Sequence, residues 1–253
     1  MHTKKKLGQY ILHDSSVTRC IVDAIEIKTG DTIIEIGPGT GFLTKALLEE
    51  KLFSTLIAIE KDERFARNLK DEIQDPRFEI IKGDALEILK KPFLANKIVG
   101  NIPYYITGRL LRILSELKKK PERIVLMTQK EVAERIEAVP PKTTLLSAIT
   151  NHWAHPRILK IVPPGAFTPQ PQVESAVILL KPKELKESPL EFYKFLRILF
   201  THPRKTILNN LKTGEYEEEL IQKALKSAVL TGQERGGSLS EENFNALFKG
   251  LSR

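Results

Sequence analysis

The chain has one cysteine, Cys20, in 253 residues. A lone thiol excludes an internal disulfide and any Cys-rich metal site. No apolar run approaches the roughly 18–20 residues of a membrane-spanning helix. The basic start, Met1-His2-Thr3-Lys4-Lys5-Lys6, is not followed by the apolar segment of a secretion signal. A soluble cytoplasmic protein is expected. Histidine is scarce, at five residues, and His152 and His155 have no third ligand near them in sequence, so no metal is expected. No Gly-Lys-Ser/Thr follows a glycine loop, which argues against a nucleotide-hydrolysing P-loop, and there is no nucleophile elbow. No internal repeat is visible.

What remains is a globular chain with a basic surplus. Hydrophobic residues make up 41%, enough for a core, and the length suits one large domain and one smaller. The net charge of +8 and pI near 9.4 favour a polyanionic partner. The segment after Pro182 carries 12 basic against 10 acidic residues, so most of the surplus belongs to the first part.

Chemistry concentrates at the ends of apolar runs. Thr32 to Ile36 reads as a buried strand, and Gly37-Pro38-Gly39-Thr40-Gly41 follows before a helix from Phe42 to Leu48. Glycines at such a turn let backbone approach a ligand closely. The spacing G-x-G-x-G differs from the NAD fingerprint G-x-G-x-x-G, whose third glycine would fall at Phe42. With Glu35 two residues before Gly37, it suits a ligand without a pyrophosphate, such as S-adenosyl-L-methionine. The next strand ends in Glu60-Lys61, where a carboxylate can clasp ribose hydroxyls. A third ends in Gly83-Asp84-Ala85, where Asp84 can accept from an adenine amine. A fourth ends in Asn101-Ile102-Pro103-Tyr104. There the Asn101 side-chain oxygen and the Ile102 carbonyl can each accept from one exocyclic amine, and the Tyr104 ring can lie against a base. Two acceptors draw the amine lone pair out of ring conjugation, which suits methyl transfer to N6 of adenine. In an open α/β sheet these strand tips share one crevice.

These segments resemble the rRNA adenine N6,N6-dimethyltransferase family nearly end to end. The likeness includes Leu7-Gly8-Gln9 with Leu12, Glu35 to Gly41, Gly83 to Ala85, Asn101 to Tyr104, Gln129 to Ala133, Phe167 to Ser175, and Arg204-Lys205-Thr206 with Asn209-Asn210-Leu211. It implies dimethylation of two adjacent adenosines near the 3′ end of small-subunit (16S) rRNA, in ribosome biogenesis. S-adenosyl-L-methionine would be the cofactor and rRNA or a pre-ribosomal small subunit the substrate, with the enzyme a monomer. Gln9, Leu12, Gly37, Glu60, Asp84 and Asn101 would line the cofactor site, and Tyr104 and Phe167 would sandwich the target adenine. Tyr10-Ile11 stands where the family usually has Asn-Phe, so Tyr10 would contribute through its backbone. Tyr105-Ile106-Thr107-Gly108 also departs from the usual run. Three other functions stay open: a large-subunit rRNA dimethyltransferase of the antibiotic-resistance type, a non-catalytic nucleic-acid-binding relative, and a NAD-dependent oxidoreductase, which the glycine spacing disfavours.

Strands and helices alternate through Leu126, which predicts a Rossmann-like α/β domain over residues 1–182. A helix is expected over 14–28, a fifth strand over Arg123 to Thr128, and a closing pair over His155 to Val162 and Ser175 to Lys181. After a charged linker from Lys183, helical spacing predicts a small all-helical domain over 183–253, with an RNA-recognition role. Lys4, Lys5, Lys6, Lys118, Lys119, Lys120, Arg204 and Lys205 are candidate phosphate contacts, each an ordinary solvated face when taken alone.

Overall fold

The structure is a computed structural model and describes residues 10–184 and 189–252. Its elements, in chain order, are β1 (Ile11–Leu12), α1 (Ser15–Ile25), β2 (Thr32–Ile36), α2 (Phe42–Leu48), β3 (Thr55–Glu60), α3 (Glu63–Glu72), β4 (Phe78–Lys82), α4 (Ala85–Ile88), β5 (Lys97–Asn101) and α5 (Thr107–Glu116). There follow β6 (Arg123–Gln129), α6 (Lys130–Glu137), α7 (Leu145–Trp153), β7 (Ala154–Val162), β8 (Phe167–Thr168), β9 (Ser175–Pro182), α8 (Pro189–Leu199), α9 (Ile207–Leu211), α10 (Glu218–Ser227) and α11 (Glu241–Leu251). Among the described residues no helix is long and apolar enough to cross a membrane.

Strands rich in Ile, Val and Leu form a seven-stranded sheet in the order β4-β3-β2-β5-β6-β9-β7. The pairs from β4 through β6 are parallel, and β9 runs antiparallel to β6. Central strands are buried on both faces, which is why β2 and β5 read as continuous apolar runs. The edge strand β4 is largely exposed and carries Glu79 and Lys82. From β2 the chain steps outward to β3 and β4, then returns to place β5 on β2's other side. That reversal makes a switch point, where such sheets open a crevice.

β2 and β5 pass closely at that point. A Cβ on Gly100 would lie 2.7 Å from the Ile36 carbonyl oxygen and 2.9 Å from the Ile102 Cδ1, so only glycine fits. At the opposite end of β5, Lys97 is 0% exposed. Its ammonium donates to the carbonyls of Ile25 and Glu26, at 3.0 and 2.9 Å, and lies 3.6 Å from Asp31. The C-terminal carbonyls of α1 thus satisfy the hydrogen-bonding demand of this buried nitrogen. Glu26 then turns left-handed, with φ of 50°, and α1 stops at Ile25, short of the expected 28. Asp14 caps the other end by accepting from Ser16 N.

A two-residue ladder outside the main sheet pairs Leu12 with Phe167 and Ile11 with Thr168. It takes Phe167 into the core with Leu12, Val162, Ala166 and Val177, at 2% exposure. Phe167, expected to wall an adenine pocket, is placed within this core with little of its ring at the surface. Its Pro-rich context suggests an exposed wall, whereas the short pairing with β1, which buries it, has no local signal.

The chain divides into two compact units, residues 1–133 with 157–182, and residues 134–156 with 183–253. The second is helical. Its core gathers Phe192, Phe195 and Leu199 of α8 with Ile207, Ile221 and Phe244. It also takes in Ala148 of α7, and His152 of the same helix stacks on Phe192 at 3.7 Å. The expected boundary at 182/183 is thus one of several chain passages between the units. The intervening residues 185–188 lie outside the described residues.

Replacing Gly100 by Ala should destabilise the protein by about 1–3 kcal/mol through overpacking against backbone. Gly108→Ala, with nothing within 4 Å of the added carbon, should be neutral or mildly stabilising in denaturant unfolding. Equal effects at the two sites would refute the close approach. Phe167→Tyr should lower the melting temperature, since it buries a hydroxyl among apolar side chains at about 1–3 kcal/mol. A tolerated tyrosine would restore the stacking role.

Candidate active site

Beyond the tips of β2, β3 and β5 the first unit opens a cleft of about 130 Å³. The glycine loop forms one wall. Gly37, Gly39 and Gly41 have φ of 68°, 59° and 81°, a left-handed run that residues with a Cβ avoid. The Gly37 N–H donates to the Ile59 carbonyl at 2.9 Å, which ties the loop to the β3 tip. Glu60 completes that tie. One carboxylate oxygen accepts from Gly39 N at 3.1 Å, and the other accepts from Asp62 N at 2.8 Å. Glu60 therefore fixes the loop to the start of α3, while each oxygen keeps acceptor capacity.

Asn101 forms the opposite wall. Its Nδ2 donates to the Tyr10 carbonyl at 3.4 Å. This contact with the Tyr10 backbone turns the Oδ1 acceptor the other way. Ile102 is 1% exposed and its N–H donates to the Met127 carbonyl at 2.9 Å, so the segment into Pro103 is anchored to β6.

Of the expected site residues, the structure brings Tyr10, Leu12, Gly37, Gly39, Glu60, Asn101, Ile102 and Pro103 around one cleft. Gly41, Lys61, Asp84 and Ala85 do not line it. Asp84 instead caps α4 by accepting from Leu86 N and pairs with Lys61 at 2.9 Å. The Lys61 hydrogen bond holds the Asp84 carboxyl below its usual range. Gln9 lies outside the described residues, as does the side chain of Tyr104. Residues that sequence reasoning leaves out of the site include Ile11, Thr40, Phe42 and Phe65. Phe65 has a usable signal: it sits in the first turn of α3, just past Glu60.

Glu35 also lines the cleft, at 1% exposure, and its Oε2 has no hydrogen-bond partner. Burial pushes its carboxyl up to about 8, opposed by Thr44 and assisted by the nearby Glu60 charge. Burial thus favours the neutral form of this acid at the cleft wall near neutral pH.

The phosphate-contact candidates fare differently. Lys118 and Lys119 are exposed beyond α5. Lys120 is corrected: its ammonium donates to the carbonyls of Ser115 and Leu117, both at 2.9 Å, and burial lowers its pKa. It caps a helix end and is not presented to a phosphate. Arg204 and Lys205 are exposed in a turn braced by buried Asn210, which accepts from His202 N and donates to the His202 carbonyl. Lys4, Lys5 and Lys6 lie outside the described residues.

Glu35 has a pH signature. In the unfolded chain it ionises near its ordinary 4.5, whereas in the fold it keeps its proton to about 8. Between those values the native state binds more protons, so stability should fall as pH rises across the window. The full difference is on the order of 5 kcal/mol. Glu35→Gln should flatten that slope and gain stability at the alkaline end, read by denaturant unfolding at several pH values. A variant with the wild-type slope would show that Glu35 is ionised in the fold.

The chain matches the family described as "Ribosomal RNA adenine dimethylase" over residues 1–252. It is 36% identical over 257 positions to Ribosomal RNA small subunit methyltransferase A of Dehalococcoides mccartyi (strain CBDB1), covering 98% of this chain and 88% of that protein. The same figure holds over 254 positions for the Clostridium botulinum (strain Okra / Type B1) protein of that name, covering 96% and 92%. A solved dimethyladenosine transferase from Plasmodium falciparum superposes with a TM-score of 0.80 at 27% identity, covering 94% of this chain and 95% of the other. The 23S rRNA methyltransferase ErmE superposes at 0.76 with 23% identity, covering 96% and 100%, a likeness of fold alone. The alternating strands, the Rossmann-like sheet with its glycine loop and Asn101 at the switch point, and a match along nearly the whole chain agree: this chain belongs to the ribosomal RNA adenine dimethylase family.

Proposed function

We propose that this protein transfers methyl groups from S-adenosyl-L-methionine to the N6 amine of two adjacent adenosines of small-subunit rRNA. The observation that carries the reading is Asn101, whose amide nitrogen is held by the Tyr10 carbonyl so that its oxygen remains an acceptor beside the glycine loop. The relatives at 36% identity are named for the small subunit, which favours that substrate over large-subunit rRNA.

The cleft residues fit the cofactor. An unpartnered carboxyl oxygen on Glu35 suits a ligand bearing an amine or sulfonium, and Leu12, Phe42 and Phe65 offer apolar faces for an adenosine. Glu60 keeps acceptor capacity for sugar hydroxyls. When bound, the cofactor supplies a methyl group already activated as a sulfonium. The protein's part is then alignment. The target adenine leaves its stack, as for other base-modifying enzymes. Asn101 Oδ1 accepts one N6 hydrogen and the Ile102 carbonyl the other, aiming the nitrogen lone pair. Pro103 holds that carbonyl outward by fixing its own backbone angle. Tyr104 is the residue assigned to face the base. The proton lost from N6 after attack can pass to water, so no strong base is required.

Asn101→Ala should lower methyl transfer about 10²–10³-fold, the usual loss for one preorganised polar contact at a reacting centre. The measurement is labelled methyl incorporation into small-subunit particles with unmethylated RNA, followed by mapping of the label. Near wild-type turnover would remove Asn101 from the reaction, and label mapping to the large subunit would overturn the choice of substrate.

A further inference from the structure

The first unit carries a second concavity, of about 660 Å³, between α4 and α5 and the loop after α4. Its walls hold Lys90, Lys91, Arg109, Arg112, Lys118 and Lys119 against only Glu87 and Glu116. Both acids are engaged locally, Glu87 with Lys90 at 2.8 Å and Glu116 with Arg112 at 3.0 Å. The groove therefore keeps a surplus of four positive charges. Its apolar lining is of another character, with Phe93, Ile113 and Leu117 each partly exposed.

Placement links this groove to the cleft. α4 begins directly after Asp84, and α5 begins six residues after Asn101, so both walls start at the edge of the sheet where the strand tips lie. Arg109 is close enough to Lys61 and Asp84 for its charge to act on both. From Arg109 to Glu116 the helix rises about 10 Å, and Lys118 and Lys119 extend the row. Such a row can track the backbone of a single strand over more than one nucleotide.

We propose that the groove between α4 and α5 holds a single-stranded RNA segment flanking the target adenosine. Phosphates would lie along the lysine and arginine walls, and unstacked bases would rest on the apolar floor at Phe93. The inference rests on the reading of the chain as an rRNA methyltransferase. Charge alone would suit any polyanion. The apolar floor selects the single strand, because only unpaired bases expose the faces that such a floor can cover. A duplex, with its bases stacked and paired, would leave the floor unused.

The test uses the full chain with Lys91, Lys118 and Lys119 changed to Ala, a set outside the cleft. Wild type and variant are titrated with a short single-stranded RNA, the same RNA as a duplex, and small-subunit particles, at several salt concentrations. The salt slope for single strands should fall by about 0.7 for each phosphate no longer neutralised, or about 2 in all. Affinity should fall with it, while cofactor binding by calorimetry stays unchanged. Restoring charge with Lys91→Arg, Lys118→Arg and Lys119→Arg should recover the slope. Phe93→Ala should weaken single-strand binding with little change in slope. An unchanged slope in an alanine variant that still binds cofactor would overturn the groove while leaving the methyltransferase reading intact. So would equal losses for duplex and single strand. Wild-type protein that transfers no methyl group to small-subunit RNA would overturn both.

Discussion

The cleft depends on two strands lying closer than side chains allow. At Gly100, β5 meets the Ile36 carbonyl of β2 with no room for a Cβ. β2 ends at Ile36 itself, and β5 ends one residue on, at Asn101. The glycine loop and Asn101 thereby leave the sheet as neighbours, although they are about 60 residues apart in sequence. The left-handed loop, the Glu60 tie to Gly39 and the Tyr10 carbonyl on Asn101 build on that approach. None of them could correct for a wider spacing, since each reaches only a hydrogen-bond length.

Buried charge is handled in two ways in this unit. Lys97 is fully buried, and a helix end gives its nitrogen two carbonyls while Asp31 lies near. Glu35 has no such partner for its second oxygen and keeps a proton instead. One arrangement satisfies itself and closes the bottom of the sheet. The other leaves an acceptor uncommitted at the wall of the cleft, where a cationic ligand would favour the ionised form. Polarity left unsatisfied marks the functional end of the sheet, as is usual when a protein spends stability on a site.

The central strands are legible in the sequence because burial on both faces leaves apolar runs with glycine or acid at their tips. Helical spacing after Lys183 marks the region of α8 to α11, while their starts are set by caps such as Thr206 and Ser240. What escapes is set by contacts distant in sequence. The pairing of Leu12 with Phe167 spans about 155 residues and lacks a local pattern, so sequence alone presents a buried ring as an exposed one. Lys120 looks like its two neighbours until the carbonyls of Ser115 and Leu117 claim it. Glu60 is expected at the ligand, and it also serves the loop, which no spacing rule could reveal. Many of the residues that the likeness to a family names share one cleft, but the likeness carries no information about which side chains are already occupied.

The interleaving of the two units has a consequence for synthesis. α7 emerges from the ribosome before β9, yet its apolar side belongs with α8 and α11, whose last turn ends at Leu251. Close to 100 residues separate Trp153 from that turn. At the usual elongation rate, on the order of 5–20 s passes before its partners exist. During that interval the first unit can complete its sheet as soon as β9 arrives, with α7 held out of it as a passenger. The nascent chain therefore has a window, between the closing of one core and the nucleation of the other, in which Ala148 and the apolar side of α7 wait without their partners.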